Sequence, residues 1–318
     1  MEDIRPIDIM NYPFWDPTAW QAREFEIIST TMFRTRTQLA SEHRRNILLE
    51  TMKRPVKPVP APTSTPDEFV AQMDEVGYDK VFIHALKMWS HWDKRLIWDY
   101  KVDEVCEHLK NHRDRLLVAV SYNPYRIEES LEEMERGVKE YGAKYCYFHS
   151  LTFGLPLTDK RLYPCYAKCS ELGIPVGMQT GHSAELFPSW PGSPMYLDEV
   201  ALDFPGLTII GSHTGWPWVN ELVAMAWKHP NVYCDCSAWM PKLLPKLHPQ
   251  LLVFMQFWAG QEKTLFGTNG MGLKTFKEQF LALPLSDEAK RMIMRENAIK
   301  VFNLKDSKIT PKRAKKRS

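Results

Sequence analysis

Short apolar runs recur along the chain, separated by segments long enough to hold a helix. Eight of these runs are rich in β-branched or aromatic residues, which favour strands. They cover residues 4–10, 80–86, 116–122, 143–149, 174–179, 207–213, 232–237 and 264–269. Because most of the runs are continuously apolar, they are typical of strands buried on both faces of a parallel sheet.

Amphipathic helical patterns lie between the apolar runs. Residues 66–77 carry apolar side chains at helical spacing, and Thr65 and Glu68 stand three residues apart, as in a capping box. Residues 126–142 repeat the helical period. Strands that alternate with helices predict an α/β fold, a closed (β/α)8 TIM barrel whose active site lies at the carboxyl ends of the strands. An open, doubly wound sheet is the alternative, but no glycine-rich phosphate-binding turn follows the first run.

Two segments depart from this repeat. Residues 14–66 make an over-long first connection with a proline-rich stretch, which we interpret as a lid over the barrel mouth or, alternatively, as an oligomer contact. Residues 305–318 are basic and interrupted by proline, which predicts a disordered tail in solvent. Residues 1–304 then form a single barrel domain, with the long connection as an insertion after the first strand.

Composition limits the classes of partner and compartment. The 318 residues include 41 basic and 39 acidic side chains, a net charge of +2, so no strong field attracts nucleic acid or a membrane surface. The six cysteines lack zinc-finger spacing and are interpreted as reduced, buried thiols. The amino-terminal text has no basic segment followed by an apolar one, which predicts a cytoplasmic protein.

Polar side chains stand at or near the carboxyl ends of most of the predicted strands. In a barrel these ends converge on one mouth, so the side chains are candidates for a common site. Each of them alone could equally be a hydrogen-bonded structural residue. The candidates are Tyr12, His84, His149, Gln179, His182, His213, Asp235 and Asn269.

Several stretches of the sequence resemble a known family. They include "GIPVGMQTGH", "LTIIGSHTGWPW", "HPNVYCDCSAW", "LFGTN" and "RENAIKVFNL". This text is similar to that of the amidohydrolase-related proteins grouped with aminocarboxymuconate semialdehyde decarboxylase, resorcylate-type decarboxylases and related hydratases. The resemblance covers residues 4–10 and about 70–304. It implies a (β/α)8 barrel that generally holds one divalent metal at the strand ends.

The metal ligands that the resemblance implies are replaced in this sequence. Met10 and Tyr12 stand where the family's first strand usually closes on a His-x-His pair. Gln179 replaces a histidine that commonly ends the fifth strand, and Asn269 replaces the aspartate of an "FGTD" motif. A thioether, a phenol and two amides suit zinc poorly, because protein zinc sites use thiolate, imidazole and carboxylate. We therefore predict no catalytic metal and no cofactor.

Two residues remain candidates for catalysis. The resemblance implies that the histidine at position 213 acts as an acid or base beside the metal, and Asp235 could orient the His213 imidazole. The alternative is that both residues only satisfy hydrogen bonds at strand ends. Tyr12, Gln179 and Asn269 are candidates to hold a substrate oxygen by neutral hydrogen bonds.

Four further residues complete the predicted substrate site. His149 and His182 border the mouth, and together with His213 they are the ligands that a rebuilt metal site would use. Trp216 is a candidate wall of an apolar pocket. Lys274, in the last strand-to-helix connection, is the candidate partner of a substrate carboxylate.

Three functions fit these residues. The first is an acid/base lyase, of decarboxylase or hydratase type, that acts on a small aromatic or unsaturated carboxylic acid. The second is a metal-free hydrolase of a lactone or activated ester. The third is a non-catalytic descendant that binds a ligand or a partner. The predicted partners are a small-molecule carboxylate or lactone and a second copy of the chain in a homodimer, with no nucleic acid and no membrane.

Overall fold

The computed structural model describes residues 4–12, Glu24 and residues 65–306. The predicted lid, residues 14–66, therefore falls almost entirely outside the described residues, as does most of the predicted tail. A bilayer-crossing helix is absent from the described part of the chain, whose helices are too short or too polar for that role.

Parallel strands form the centre of the protein. In chain order the described strands are β1 (Ile7–Asn11), β2 (Lys80–His84), β3 (Lys87–Trp89), β4 (Leu96–Asp99), β5 (Leu116–Ala119), β6 (Cys146–Phe148), β7 (Val176–Gln179), β8 (Ile209–Ser212), β9 (Val232–Asp235) and β10 (Thr264–Leu265). β3 and β4 pair only with each other. The other eight strands follow one another in the order β1, β2, β5, β6, β7, β8, β9 and β10. Each predicted apolar run thus overlaps one strand of this series.

Two seams close the series into a barrel. Between β1 and β10, the Ile9 N–H donates to the Phe266 carbonyl at 3.1 Å, and the Asn269 N–H donates to the Met10 carbonyl at 2.7 Å. Between β5 and β6, residue 120 pairs in parallel with Cys146. The ring is complete, which confirms the predicted (β/α)8 barrel and excludes the open sheet.

Helices fill the connections and cover the outside of the barrel. They are α1 (Pro66–Val76), α2 (Val102–His108), α3 (Ile127–Lys139), α4 (Ser150–Phe153), α5 (Tyr163–Leu172), α6 (Tyr196–Asp203), α7 (Val219–Lys228), α8 (Leu244–Leu247), α9 (Pro249–Gln256), α10 (Trp258–Lys263), α11 (Leu273–Leu281), α12 (Asp287–Arg291) and α13 (Asn297–Val301). The predicted capping box starts α1, because the Glu68 N–H donates to the Thr65 hydroxyl at 3.2 Å and the Thr65 N–H donates to the Glu68 carboxylate at 2.8 Å.

Alternation along the strands separates the barrel interior from the surface that the helices cover. On β6, Cys146 and Phe148 pack outward against the helices, whereas Tyr147 and the preceding Tyr145 point into the barrel. Gly177 on β7 makes room for this arrangement, since a Cβ at that position would lie 1.8 Å from the Tyr145 hydroxyl oxygen. The interior is therefore packed with side chains below the mouth.

The β3–β4 hairpin is an addition after β2 that the sequence pattern did not predict. Lys87 fixes the hairpin to the helix layer by two ion pairs: its Nζ lies 3.0 Å from Glu133 Oε2 on α3 and 3.2 Å from Asp99 Oδ1 on β4. Lys87 and Glu133 side chains are only 3% and 5% exposed, so the two charges neutralise each other inside the protein. Met88 and Trp98 of the hairpin face the barrel mouth.

Asp8 ties β1 to the segment that follows β10, directly under the mouth. Its Oδ1 accepts hydrogen bonds from the backbone N–H of Met10 and of Thr268, at 3.0 and 2.9 Å. Its Oδ2 accepts from the Asn11 amide at 2.9 Å and from the Thr268 hydroxyl at 2.6 Å. This carboxyl is fully buried, and burial raises its pKa from 3.8 to about 6 in spite of the four donors.

Candidate active site

A cavity opens at the carboxyl ends of the strands, which is the end at which TIM barrels carry their active sites. We call it the mouth cavity. Its apolar wall is made of Leu86, Met88, Trp98, Ala184, Ala238 and Trp239. Its polar lining comprises Tyr12, His149, Gln179, His182, Ser183, Glu185, His213 and Asn269. Six of the residues predicted from strand-end positions thus meet in one place.

His213 follows β8 in a sharply turned segment. Three consecutive residues, His213, Thr214 and Gly215, have positive φ values of 73°, 64° and 71°. Left-handed backbone is unfavourable for the two side chains that carry a Cβ, and such local strain is a frequent property of functional sites. The turn lets the His213 backbone N–H donate to Asp235 Oδ1 at 3.0 Å while the imidazole borders the cavity.

Ser237 links the His213 imidazole to Asp235. The Ser237 hydroxyl donates to Asp235 Oδ1 at 2.6 Å. The Ser237 hydroxyl oxygen also lies 2.6 Å from His213 Nδ1. Asp235 was predicted to orient the imidazole, and the structure gives it an indirect route through this hydroxyl and through the His213 backbone. Asp235 is fully buried, and burial raises its pKa.

Tyr147 is a central residue that the sequence analysis missed. Its hydroxyl oxygen lies 3.0 Å from Gln179 Oε1 and 3.3 Å from His213 Nε2, immediately behind the cavity wall. Burial raises the pKa of Tyr147 well above its ordinary value, so the phenol keeps its proton. Residue 147 sits in a continuous apolar run, and such a run hides which side chains face inward. The only available signal was the alternation of side chains along a strand, which places residue 147 on the same face as His149, two residues later.

Of the two residues that replace the implied His-x-His pair, Tyr12 lines the amino-terminal side of the cavity and Met10 is buried beside it. The Tyr12 hydroxyl lies 2.8 Å from the Met10 sulfur, and burial raises the pKa of Tyr12 well above its ordinary value. Asn269 lines the opposite side of the same seam with φ of 52°, a conformation that asparagine tolerates better than most residues. Tyr12 and Asn269 therefore offer neutral polar groups to the cavity.

Two more histidines lie on the cavity wall. His149 Nδ1 accepts from the Thr152 N–H at 3.3 Å, and its Nε2 lies 3.3 Å from the Ser183 hydroxyl. Burial lowers the pKa of His149 to about 3, so this imidazole is neutral at neutral pH. His182 packs edge-on against Trp216, with ring centroids 4.5 Å apart. Trp216 thus supports the wall from behind and is not among the lining residues.

Lys274 and His84 lie apart from the cavity. Lys274 is exposed in the first turn of α11 and does not line the cavity. His84 points into the barrel below the mouth, with Nε2 2.9 Å from the Ile9 carbonyl oxygen, and burial lowers its pKa to about 4. His84 is therefore a structural residue, in line with the alternative given above for a lone strand histidine.

The side chains around the mouth cavity do not fit a divalent metal. Within the described ranges, no three His, Cys, Asp or Glu side chains of the mouth bring their ligand atoms within 4.8 Å of one another. The Gln179 oxygen is engaged by Tyr147, and His213 Nδ1 is engaged by Ser237. Thioether, phenol and amide groups at the implied ligand positions lack the anionic or imidazole donors that zinc and manganese sites use.

One group of potential metal ligands lies elsewhere, on the outside of the barrel. Cys146 of β6 meets Cys165 and Cys169 of α5, with 3.8 Å between the first two sulfur atoms. All three are buried in the apolar core, and burial raises the pKa of Cys165 and Cys169 well above the ordinary value. Free cysteines buried in an apolar core act as small apolar side chains. The six cysteines are free and buried, as predicted.

Comparison with known proteins now defines the class. Residues 97–304, well over half of the chain, match the amidohydrolase family, and the chain belongs to that family. This confirms the resemblance found in the sequence, and with it the enzyme class of amidohydrolase-related lyases and hydrolases. No curated protein matches the chain.

Solved structures with the same fold include proteins of different activities. An uncharacterized TIM-barrel protein from Bordetella bronchiseptica aligns with a TM-score of 0.69 and 24% identity, over 94% of this chain and 99% of that chain. A 5-carboxyvanillate decarboxylase from Novosphingobium aromaticivorans, solved with manganese and 4-hydroxy-3-methoxy-5-nitrobenzoic acid, aligns with a TM-score of 0.59 and 17% identity, over 95% and 97%. A 4-oxalomesaconate hydratase from Rhodopseudomonas palustris aligns with a TM-score of 0.54 and 19% identity, over 94% and 95%. At these identities the likeness establishes the fold alone.

Proposed function

We propose that the protein is a metal-independent acid/base lyase, of decarboxylase or hydratase type, that acts on a small aromatic or unsaturated carboxylic acid. The observation that carries this proposal is the environment of His213. Its Nδ1 lies 2.6 Å from the hydroxyl that Asp235 orients, and its imidazole borders the cavity. An imidazole held in this way can give a proton to a substrate and recover it from water.

For a decarboxylation, His213 gives its proton to the ring or alkene carbon that bears the carboxylate. A C–H bond forms, the bond from that carbon to the carboxylate breaks, and its electron pair returns to the ring or alkene as carbon dioxide leaves. The apolar wall that includes Met88, Trp98 and Trp239 suits an aromatic or unsaturated skeleton and excludes water from it. The solved decarboxylase and hydratase of the same fold support this reaction class for the chain.

Neutral hydrogen-bond groups take the place of a Lewis acid in this proposal. Tyr12, Gln179 and Asn269 line the cavity, where they can hold a substrate oxygen as negative charge develops on it. Such groups are weaker electrophiles than a bound metal ion. The proposal is therefore restricted to substrates that are already activated, such as electron-rich ring carboxylates or enolisable keto acids.

A second candidate is a metal-free hydrolase of a lactone or activated ester. It is favoured by one observation: the described lining of the cavity contains Glu185 but no lysine or arginine. An uncharged substrate needs no cation, whereas a carboxylate must rely on a protonated histidine. In this case His213 would remove a proton from water, and the carbonyl oxygen would be held by the same neutral groups.

The test is a substrate panel of hydroxylated benzoates, unsaturated dicarboxylates and lactones. We expect carbon dioxide release or reversible hydration from an acid, whereas hydrolysis releases a proton with no loss of carbon. His213→Gln is expected to lower kcat by about a hundredfold or more. His91→Gln, an exposed histidine of the hairpin, is the matched control and should retain activity. Turnover that survives His213→Gln undiminished would refute both candidates.

The predicted assembly is part of the proposal. An aromatic patch on the outside of the barrel, made of Trp227, Phe257 and Trp258, is exposed, and the Trp227 and Phe257 rings stack with centroids 6.5 Å apart. Exposed aromatic patches of this kind are common at subunit interfaces, which supports the predicted homodimer. Light scattering on the protein as it elutes from a sizing column should give twice the chain mass of 37.1 kDa. The cytoplasmic location stays a prediction from the sequence.

A further inference from the structure

Glu24 is the one residue between Tyr12 and Thr65 that the structure describes, and it is fully buried. Its carboxylate contacts the turn of the β3–β4 hairpin, and its backbone carbonyl contacts the segment that follows β7. We call residues 180–189, which make up this segment, the β7 loop. Glu24 thus joins two segments that are far apart in the sequence.

On the hairpin side, a single carboxylate oxygen of Glu24 makes the contact. Glu24 Oε1 accepts from the Ser90 hydroxyl at 2.7 Å and from the Trp92 backbone N–H at 3.2 Å. The Ser90 oxygen itself accepts from the Asp93 N–H at 2.8 Å, and the one proton of the hydroxyl goes to Glu24. Glu24 Oε2 is buried and has no hydrogen-bond partner in the described part of the chain. The attachment to the hairpin therefore depends on Oε1.

On the other side, the backbone of Glu24 makes the contact. The Leu186 N–H donates to the Glu24 carbonyl oxygen at 2.9 Å. Leu186 directly follows residues 182–185, which line the mouth cavity. Any residue at position 24 could supply this carbonyl, but only a side chain that is anchored on Ser90 holds the carbonyl in place.

The two segments that Glu24 joins form two walls of the mouth cavity. Met88 and Trp98 come from the hairpin, and residues 182–185 come from the β7 loop. Neither segment belongs to the ring of barrel strands, since β3 and β4 pair only with each other and the β7 loop contains no helix or strand. Segments outside the main hydrogen-bonded framework open more readily than the core and depend on local contacts such as those of Glu24.

We propose that Glu24 is a positioning residue of the candidate active site. Its carboxylate holds the hairpin, its carbonyl holds the β7 loop, and the two cavity walls keep their spacing through it. Glu24 does not line the mouth cavity, so it acts on a ligand only through these walls. The inference rests on the proposed function, because it treats the mouth cavity as the site that binds the substrate. It assigns Glu24 to substrate binding and not to the proton transfer at His213.

Hydrogen exchange of the full chain tests the bridge without a substrate. Glu24→Ala should speed the exchange of the Leu186 amide about tenfold, although the variant keeps the backbone carbonyl that accepts from this amide. Ser90→Ala changes only the hairpin, yet it should have the same effect at Leu186, because it releases the same carboxylate. Glu24→Gln keeps an oxygen at the Oε1 position and should restore most of the protection.

Two controls separate the bridge from a general loss of stability. Glu75→Ala removes an exposed glutamate of α1 and should leave the Leu186 amide unchanged. Exchange in β8 should keep its wild-type rate in every variant, and an equal increase there would overturn the positioning role. If the Leu186 amide keeps its wild-type rate in either Glu24→Ala or Ser90→Ala, the inference is wrong. If Glu24→Ala does not fold, Ser90→Ala decides alone.

Oxidation of Met88 by hydrogen peroxide reports the position of the hairpin wall. Met88 is 2% exposed, whereas Met195, outside the cavity, is 48% exposed and serves as the internal standard. The ratio of the two oxidation rates, measured by mass spectrometry, should rise about tenfold in Glu24→Ala and Ser90→Ala. The ratio should stay near its wild-type value in Glu24→Gln. A wild-type ratio in Ser90→Ala would show that the wall does not depend on the bridge.

Kinetics separates positioning from catalysis. With a substrate from the panel, Glu24→Ala should raise KM about tenfold and leave kcat within about threefold, whereas His213→Gln lowers kcat. A wild-type KM in Glu24→Ala would overturn the inference. A chain that shows the exchange and oxidation changes but turns over no member of the panel would refute the proposed function and leave the bridge between the walls standing.

Discussion

Asp8 gives the protein a pH-dependent stability that can be calculated. The folded carboxyl has a pKa of about 6, against 3.8 for an ordinary aspartate, because it is buried. Between these values the folded protein binds a proton that the unfolded chain has released. The free energy of unfolding therefore falls as pH rises from about 3 to about 8, by about 3 kcal/mol in total from this group. From about pH 5 to about pH 7 alone, the Asp8 contribution is about 1 kcal/mol.

Asp8→Asn tests this reasoning because asparagine has the same shape and no charge at any pH. The variant also turns an NH2 group toward donors such as the Thr268 N–H or hydroxyl, which lowers its stability by about 1–3 kcal/mol at the acidic end. The informative quantity is how the difference in unfolding free energy between the wild type and Asp8→Asn changes with pH. Relative to the variant, the wild type should lose about 1 kcal/mol between about pH 5 and about pH 7.

The assay is urea unfolding followed by tryptophan fluorescence at three pH values across that range. Asp114→Asn, which changes an exposed aspartate, is the control and should run parallel to the wild type. Parallel profiles of the wild type and Asp8→Asn would refute the reasoning. They would show that the four hydrogen bonds to Asp8 outweigh burial and keep its carboxylate ionised throughout.

Three further predictions follow from other features. Lys87→Met leaves Glu133 buried without its cation and should lower stability by about 3–5 kcal/mol in urea unfolding. Adding Glu133→Leu should restore most of this loss. If Lys87→Met causes no loss of stability, the pair is solvated. Gly181→Ala should lower stability by about 2 kcal/mol or more, because a Cβ there lies 2.4 Å from the Trp216 carbonyl oxygen at a φ of 76°; an unchanged melting temperature would contradict this. Protein purified without chelators should contain less than about a tenth of an equivalent of zinc, manganese or iron by elemental analysis, and about one equivalent would mean that the mouth histidines bind metal after all.

The sequence predicts the barrel well because the strand signal repeats. Each barrel strand is short and apolar and is followed by a helix or loop with its own boundary signals, so errors in one unit do not spoil the others. The β3–β4 hairpin was missed because its strands, of three and four residues, carry no such repeat. The lid predicted for residues 14–66 stays a prediction, since those residues lie almost entirely outside the described part.

The site was predictable in position but not in its connections. Strand ends located His213, Gln179 and Asn269, because all carboxyl ends of a parallel barrel converge. The link through Ser237 and the phenol of Tyr147 depends on which side chains face inward and on hydrogen-bond directions, which a continuous apolar run does not reveal. The serine had a signal, since it follows Asp235 by two residues and two-residue spacing keeps side chains on the same face of a strand.

Because Asp8 and Thr268 join the two ends of the barrel, the fold can be completed only after both residues have been synthesised. These residues are 260 positions apart, so β1 leaves the ribosome long before its partner strand exists. At about 5–20 residues per second, the gap lasts roughly ten seconds to a minute. During that time the edge of β1 that faces away from β2 has no partner and remains exposed to other nascent chains and to chaperones. On that edge, the first strand to be translated must wait for the last.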